Sequence, residues 1–303
     1  MAINFKGTVR QATPQATVLT WKPSQPWSGN EIKFSSITAL DVDLDTSRFH
    51  FSLPVRGKEP YYVDGKFYQA GQGEYFIFNT QQEARAAGVF KEKVEGYCIF
   101  ITEQTINEVA RAIGMPLKKS LASPFHHTWQ QHAFLTKTYD LKENSFGQYL
   151  HRLRYTLQQS SGGQLMDWDA FYFSLAEQFL LAHRQINRHL RAIPSASKLT
   201  RREIYRRISL AHCYILDNFA EPFSLDELTR VAFFSKYHIV RLYKKIYGRT
   251  PYQHVLQLRI EKAKELLMKN YSPTEVAMQL SFADRRSFGK VFKRLVGVAP
   301  SAY

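Results

Sequence analysis

The sequence predicts an α+β protein with a strand-rich N-terminal part, connecting helices and an all-α C-terminal part. Three observations support this prediction. Short segments rich in β-branched and aromatic residues fill the first hundred residues, apolar residues recur at helical spacing from about Glu103 onward, and the last hundred residues contain an internal repeat of capped helices. We therefore divide the chain into residues 1–102, 103–192 and 198–303.

Length and charge limit the classes of protein to consider. The chain has 303 residues, which suits two or three domains. Residues 198–303 hold 20 basic and 9 acidic side chains, whereas the remainder has a net charge of only +4. A basic segment of this size predicts a polyanionic partner, although charge alone does not separate DNA from RNA or anionic lipid. No secretory signal or apolar run of roughly 18 residues occurs, so we expect a cytoplasmic protein without a membrane partner.

The N-terminal strands are predicted from composition and turns. Residues 32–40 and 47–53 are rich in β-branched and aromatic residues. Asp64 and Gly65 form a hairpin-turn signal between Tyr61–Val63 and Phe67–Tyr68, and residues 75–78 and 97–102 resemble two more strands. Several short strands at this spacing indicate a small barrel or sandwich.

The middle region has helical periodicity. One apolar face contains Ile106, Val109, Ala110 and Ile113; later faces lie within residues 144–159 and 168–190. These helices form a dimer contact or only cover the barrel, and the sequence leaves both alternatives open. Residues 193–197 are interpreted as a linker.

The C-terminal repeat has an offset of 49 residues. Ser235 and Asp284 are both favourable N-cap residues, Gly248 matches Gly297 at the end of each helix, and a proline follows each glycine. The apolar face repeats as well, and we expect it to be buried in both copies: Ile239, Leu242, Tyr243 and Ile246 match Phe288, Val291, Phe292 and Leu295.

A shorter capped helix precedes each of these two helices. Residues 224–227 and 272–275 both read as capping boxes, and Pro273 occupies the favoured first helical position of the second. A longer helix from Thr250 to about Met268 connects the two units, with Leu256, Ile260, Ala263 and Leu267 on its apolar face. The sequence thus predicts two helix-turn-helix units joined by a long helix.

The outward faces of the two repeated helices are basic. The major groove of DNA admits one α-helix, whose N-terminal residues reach the base edges. Arginine and lysine can bond guanine edges, and further cations neutralise phosphates. Two such helices on a rigid spacer could enter successive groove faces about one turn, or roughly 34 Å, apart. Double-stranded DNA is therefore the expected partner.

These residues resemble the C-terminal domain of the AraC/XylS family of bacterial transcription regulators. The matching positions extend over about 80 residues: Leu225, Leu228, Ser235, His238, Ile239, Arg241, Leu242, Tyr243, Lys244, Gly248, Pro251, Val255, Arg259, Ala263, Leu266, Leu267, Phe282, Asp284, Phe288, Lys290, Phe292, Lys293, Arg294, Gly297 and Pro300. Five positions depart from the family pattern, namely Thr229, Ser281, Arg286, Ser287 and Lys290, the last because lysine replaces the arginine usual at that position. The second helix is therefore expected to read a different base sequence from familiar members.

The resemblance implies roles for individual side chains. His238 is expected to be structural. Base contacts are implied for Tyr237, Val240, Arg241, Arg285, Arg286 and Lys290. DNA-backbone contacts are implied for Ser235, Lys236, Lys244, Lys245, Lys293 and Arg294.

The resemblance also implies a cupin-like N-terminal β-barrel that binds a small effector, followed by dimerising helices. Aromatic residues on the predicted strands either line an apolar effector pocket or fill the barrel core, and both alternatives remain open. The candidate effector-binding residues are Phe34, Phe49, Phe51, Tyr68, Phe76 and Phe78.

An enzyme carrying a DNA-binding tail is the main alternative class. No nucleophile elbow, P-loop or dinucleotide fingerprint is present, and Cys98 and Cys213 are too far apart in sequence to indicate a zinc cluster. His50 is the single histidine of the strand region, and His126, His127 and His132 lack the spacing of metal ligands. We therefore expect no catalytic residue, no metal and no cofactor.

The sequence thus favours a dimeric, effector-controlled DNA-binding regulator of transcription. RNA polymerase would be a partner if the protein is an activator, which is the commoner case in the family. A protein that packs nucleic acid without sequence preference is a third class; it would bind all DNA alike and lose affinity steeply with salt.

Overall fold

The computed structural model describes residues 17–21, 29–114, 134–159, 167–194 and 197–303. The chain forms two compact units, Met1–Gln185 and Ile186–Tyr303. In the described residues, the first unit contains an antiparallel sheet and helices, and the second contains helices and their connections. The predicted α+β fold class is confirmed, while the finer division into residues 1–102, 103–192 and 198–303 stays a prediction.

The strands of the first unit form one curled antiparallel sheet. The order is β1-β2-β7-β3-β6-β8, and β4 pairs with both β5 and β7. Because β7 is long enough to pair with β2, β3 and β4, the sheet curls into a nearly closed barrel. The strands are β1 (Thr17–Trp21), β2 (Glu31–Asp43), β3 (Phe49–Arg56), β4 (Lys58–Val63), β5 (Lys66–Gly71), β6 (Glu74–Phe78), β7 (Ala84–Ile101) and β8 (Thr138–Asp140).

Three features of the sheet differ from the sequence prediction. Strands β1 and β8 were not predicted, and β7 begins at Ala84 rather than near Tyr97. Strand β7 starts with buried Ala84 and Ala86 around exposed Arg85, and alanine has little β-propensity by itself. The hairpin prediction is confirmed: Asp64 and Gly65 both have positive φ, 48° and 72°, between β4 and β5.

The two faces of the sheet have different packing partners because successive side chains of a strand point in opposite directions. On one face, Phe49 and Phe51 contact Phe179 at ring-centroid distances of 5.1 Å. On the other face, which lines the barrel interior, Phe76 and Phe78 contact Tyr61 at 5.2 and 5.1 Å. The described interior is therefore packed with apolar side chains, including those of Val63, Ala70, Ala84 and Ala86.

Three helices complete the first unit and lead into the second. They are α1 (Glu103–Ala112), α2 (Ser145–Gln159) and α3 (Trp168–Ala192). Their predicted apolar faces are buried at Ile106, Val109, Ala110, Phe146, Leu150, Leu153, Phe171, Leu175, Phe179 and Ala182. Phe146 and Phe179 pack on the sheet, so α2 and α3 cover its outer face.

The second unit contains the predicted helices and one that the sequence did not predict. The missed helix, α4, has a narrow buried stripe of Tyr205, Ile208, Ala211 and Ile215 among many charged residues. The helices are α4 (Lys198–Asn218), α5 (Leu225–Ala232), α6 (Lys236–Tyr247), α7 (Pro251–Met268), α8 (Pro273–Gln279) and α9 (Arg285–Val296), and a 3₁₀ turn spans Pro300–Ala302.

The capping prediction for α8 is confirmed and that for α5 is half wrong. Ser272 and Glu275 form the reciprocal capping box at the start of α8. At α5, the Ser224 hydroxyl accepts a hydrogen bond from the Asp226 amide, but the Glu227 carboxylate instead accepts one from the Tyr214 hydroxyl of α4. A tertiary contact has thus replaced the local one.

The repeat is less regular than its predicted offset of 49. The N-caps of α6 and α9, Ser235 and Asp284, keep that offset. The N-caps of α5 and α8, Ser224 and Ser272, are 48 residues apart. The stretch from the N-cap of α8 to that of α9 is therefore one residue longer than the stretch from the N-cap of α5 to that of α6. Leu295 was predicted to be buried and is instead 51% exposed, so the core face of α9 is narrower than that of α6.

Candidate nucleic-acid interface

Helix α6 is held at both ends and along its back. The Ser235 hydroxyl accepts a hydrogen bond from the His238 amide at 3.4 Å, and the left-handed Gly248 donates its amide to the Lys244 carbonyl. As predicted, the four apolar residues of its back are buried: Ile239, Leu242, Tyr243 and Ile246. The opposite face is therefore presented to solvent in a fixed orientation.

Helix α9 repeats this arrangement. The Asp284 carboxylate accepts a hydrogen bond from the Ser287 amide at 2.6 Å, and this bond lowers the pKa of the Asp284 carboxyl. Gly297 ends the helix with φ of 95°, and Phe288 and Phe292 are buried. Val291 is partly buried in the same cluster.

The predicted DNA-contacting side chains of both helices lie on these free faces. Tyr237 is 75% exposed, and Val240 is half-buried at the edge of the face. The other ten predicted contacts are exposed: Ser235, Lys236, Arg241, Lys244 and Lys245 on the first unit, and Arg285, Arg286, Lys290, Lys293 and Arg294 on the second. Each helix thus combines an apolar back with a basic front.

The cations of the two faces have little competition from carboxylates. In the residues that the structure describes, Lys236 is the one predicted contact in an ion pair, with Asp226 at 2.7 Å. The Arg286 charge also lowers the pKa of the Asp284 carboxyl. Both interactions are exposed, so DNA phosphates could replace them at small cost.

A buried polar bridge fixes α6 to its neighbours. The Tyr243 hydroxyl lies 2.9 Å from Nδ1 of His212 on α4 and 2.6 Å from Nδ1 of His254 on α7. Burial, aided by the Arg249 charge, lowers the pKa of the His254 imidazole to about 4, so it is neutral near pH 7. One hydroxyl can donate to one neutral imidazole and accept from the other, and the bridge therefore ties three helices together.

A different polar group fixes the second helix-turn-helix unit. Arg259 on α7 is 6% exposed, and its guanidinium donates to three backbone carbonyls: Nε to Phe219 at 2.7 Å, Nη2 to Glu221 at 2.6 Å and Nη1 to Ser281 at 2.9 Å. It also lies over the Phe282 ring, at 5.6 Å from the centroid. Arg259 therefore connects the end of α4, the long helix and the second turn.

Ser281 shows how the chain accommodates a departure from the family pattern. It stands where glycine is usual, and its φ of 49° is in the left-handed region that favours glycine. Its hydroxyl donates to the Ala220 carbonyl at 2.7 Å. This bond offsets part of the conformational cost.

The six predicted effector-binding residues fall on both faces of the sheet. Phe49 and Phe51 lie on the helix-covered face, where Phe34 also packs against Tyr97 at 5.1 Å. Tyr68, Phe76 and Phe78 lie in the barrel interior. The six therefore do not line one common pocket, and any effector role for them stays a prediction.

The barrel interior also contains polar residues that the sequence did not single out. The buried Glu59 carboxyl accepts hydrogen bonds from the Ser52 hydroxyl at 2.9 Å and from the Tyr61 hydroxyl. Burial raises the pKa of the Glu59 carboxyl, against these two bonds. His50 is stacked between Phe78 and Phe100 at 4.6 and 4.4 Å. Alternation along β3 and β4 could have placed Ser52, Glu59 and Tyr61 on one face, but not their mutual contact.

Two properties of the described residues bear on other classes of site. No group of three or more histidine, cysteine, aspartate or glutamate side chains could hold a metal ion there. His126, His127 and His132 lie outside the described residues. No described helix is both long enough and apolar enough to cross a membrane.

The chain is similar to known proteins over part of its length. A helix-turn-helix domain family matches residues 228–303. The MmsAB operon regulatory protein of Pseudomonas aeruginosa is 34% identical over 128 residues, which cover 42% of this chain and 41% of that protein. The transcriptional activator AarP of Providencia stuartii is 33% identical over 91 residues, which cover 30% of this chain and 67% of AarP.

A solved structure of a regulator with an AraC-type DNA-binding domain, from Chromobacterium violaceum, is 22% identical to the part it matches. The match covers 32% of this chain and 88% of that one, with a TM-score of 0.31. Among the relatives, the alignment with the MmsAB protein spans less than half of this chain and less than half of that protein.

Proposed function

The chain belongs to the AraC/XylS family of bacterial transcription regulators, and we propose that it binds specific DNA sites by placing α6 and α9 in successive major-groove faces. The observation that carries this proposal is the repeated construction of the two helices. Each has an N-cap with a side-chain hydrogen bond, a buried apolar back, a left-handed glycine at its end and an exposed basic front.

The exposed side chains divide into two roles. Arg241, Arg285, Arg286 and Lys290 have the length and the donors to bond guanine edges, while Val240 offers apolar contact to a thymine methyl. Tyr237 completes the set of base contacts. The surrounding residues would hold the helices on the DNA backbone by hydrogen bonds and charge: Ser235, Lys236, Lys244, Lys245, Lys293 and Arg294.

The N-terminal unit is proposed to be a cupin-like sensor domain for a small effector in the cytoplasm. The nearly closed barrel and its buried Ser52–Glu59–Tyr61 group support this, because buried polar side chains in an apolar interior can orient a ligand. Effector binding would shift the equilibrium between arrangements that bind DNA well and poorly. Activation through RNA polymerase is the commoner mode in the family.

We also propose a homodimer formed through the helices between Asn144 and Leu190. Leu181, which is 39% exposed on α3, is a suitable probe because glutamate at that position would place a charge in the contact. Sedimentation of the full chain carrying Leu181→Glu should then show a monomer. A dimer that persists unchanged would place the contact elsewhere.

The central experiment is selection of binding sites from a random DNA pool at near-physiological salt. We expect a motif of two boxes about one helical turn apart. Arg285→Ala should lose the preference in one box, whereas Arg85→Ala, which removes an exposed arginine from the barrel, should keep both. Binding that ignores sequence and collapses with salt would instead support a protein that packs nucleic acid.

A further inference from the structure

The turn of the first helix-turn-helix unit contains a residue that the fold does not explain. Phe233 ends α5 in the left-handed region, with φ of 54° and ψ of 44°, and its side chain leaves the residue 74% exposed. A bulky residue is disfavoured in this conformation, and an exposed phenyl ring contributes little burial. Neither backbone geometry nor packing therefore favours phenylalanine here.

The second unit shows that the turn can be built without this ring. Ser281 takes the equivalent left-handed position, with φ of 49°. The next residue is aromatic in both turns and has an arginine over its ring: Arg207 lies 5.6 Å from the centroid of Phe234, and Arg259 lies 5.6 Å from that of Phe282. Phe234 thus supplies the structural aromatic of the first turn, which leaves Phe233 without a structural role.

The position of Phe233 points to the DNA-facing side. It is two residues before Ser235, the N-cap of α6, and Arg207 donates to its carbonyl at 3.5 Å. Tyr237, in the first turn of α6, is also exposed, and so are the cations Arg230 and Lys236, which precede and follow Phe233 in sequence. An exposed apolar ring with exposed cations on both sides of it in sequence matches DNA, whose apolar edges lie between phosphates.

We propose that Phe233 is an additional DNA contact of the first helix-turn-helix unit, packing against an apolar edge of the DNA beside the box that α6 reads. The apolar atoms are those of a thymine methyl or of a deoxyribose. This inference rests on the proposed function. Phe233 then lowers the stability of the turn and raises the affinity for DNA, a combination that is common at binding sites.

Phe233→Gly separates binding from folding. Glycine adopts the left-handed conformation without strain, so the variant should melt at the same temperature as the natural protein or higher. Its affinity for the selected DNA should fall about tenfold, as expected for losing roughly 60 Å² of buried apolar surface. The slope of affinity against salt concentration should not change, because no phosphate contact is lost.

Two control variants and a second test variant complete the design. Asn270→Gly relieves a left-handed residue, φ of 63°, that is exposed outside both turns, and it should leave DNA affinity unchanged. Lys236→Gln removes a charge beside Phe233 and should lower the salt slope by about 1. Phe233→Asn, which also tolerates the left-handed conformation, should reproduce the affinity loss of the glycine variant.

DNA with uracil in place of one thymine at a time identifies the apolar partner. If one such substitution costs the natural protein about tenfold and costs Phe233→Gly nothing further, Phe233 contacts that thymine methyl, whereas the thymine that Val240 contacts would matter to both proteins. If every single substitution affects the natural protein and Phe233→Gly equally, the contact is a deoxyribose. If Phe233→Gly and the natural protein bind the selected DNA equally well, the inference is overturned. A loss of transcription by RNA polymerase with unchanged DNA affinity would also overturn it, because it would indicate that Phe233 contacts a protein. Absence of any selected motif would instead reject the proposed function itself.

Discussion

Arg259 offers a direct test of what holds the second helix-turn-helix unit in place, and the change that tests it is Arg259→Met. Methionine keeps an unbranched apolar stem beside Phe282 but removes the donors to the carbonyls of Phe219, Glu221 and Ser281. Hydrogen bonds from charged donors contribute about 1.5–3 kcal/mol each, so the three together would reach roughly 5–9 kcal/mol.

Two effects reduce that sum. Burial lowers the pKa of the Arg259 guanidinium, which reflects a desolvation cost that methionine does not have. Glu221 is exposed and Phe219 is only half-buried, so water can replace the lost donor at their carbonyls. We therefore expect Arg259→Met to lower the free energy of unfolding of the C-terminal unit by about 3 kcal/mol.

The assay is urea unfolding of the full chain followed by circular dichroism, with Lys262→Met as the matched control. Lys262 lies on the same helix and is also a cation, but its ion pair with Glu265 is on the surface. Its loss should change the free energy of unfolding by less than about 0.5 kcal/mol. If the two variants unfold at the same urea concentration, the three carbonyl bonds do not stabilise the unit and the reasoning is refuted.

Three shorter predictions concern the stability of the C-terminal unit, Ile186–Tyr303. Ser281→Ala should be about 1 kcal/mol less stable than Ser281→Gly, because both lose the bond to Ala220 and only alanine keeps the left-handed strain; equal urea midpoints would contradict this. Asp284→Ala should cost about 1 kcal/mol by removing the cap of α9, and a variant as stable as the natural protein would show that the cap contributes nothing. Burial lowers the pKa of His254, and also that of His189, to about 4, so the folded state binds fewer protons than the unfolded one. Stability should be constant above about pH 6.5 and fall toward pH 4, and His254→Gln should remove up to about 1.4 kcal/mol per pH unit of that slope. An unchanged slope would rule out His254 as its source.

The parts that the sequence predicted well are those specified by neighbouring residues. Caps, left-handed glycines and a 3.6-residue period are all local, and they located α5 to α9 within a few residues of their ends. Helix α4 was missed because its first turns are dominated by arginine and because its buried face includes the polar residues Ser209 and His212, which weaken the apolar pattern.

Contacts between distant segments were beyond the sequence. Glu227 has the spacing of a capping-box residue, yet the Tyr214 hydroxyl, 13 positions earlier, binds it instead. Arg259 matched a family pattern, but nothing near it in the chain indicates that its partners are carbonyls 22 to 40 residues away. The Ser52–Glu59 bond likewise depends on how the barrel curls.

The two reading helices are similar in sequence but are held by different chemistry, and this difference has a functional consequence. Helix α6 depends on the Tyr243 hydroxyl between two imidazoles, whereas the turn before α9 depends on the permanently charged Arg259. The first attachment can change with protonation, since an imidazolium at His254 would be a buried charge, which is why burial lowers the pKa of this group; the second cannot change in the same pH range. Lowering the pH toward 4 should therefore weaken recognition of the box read by α6 before that of the box read by α9, and Arg259→Met should weaken recognition of the α9 box first.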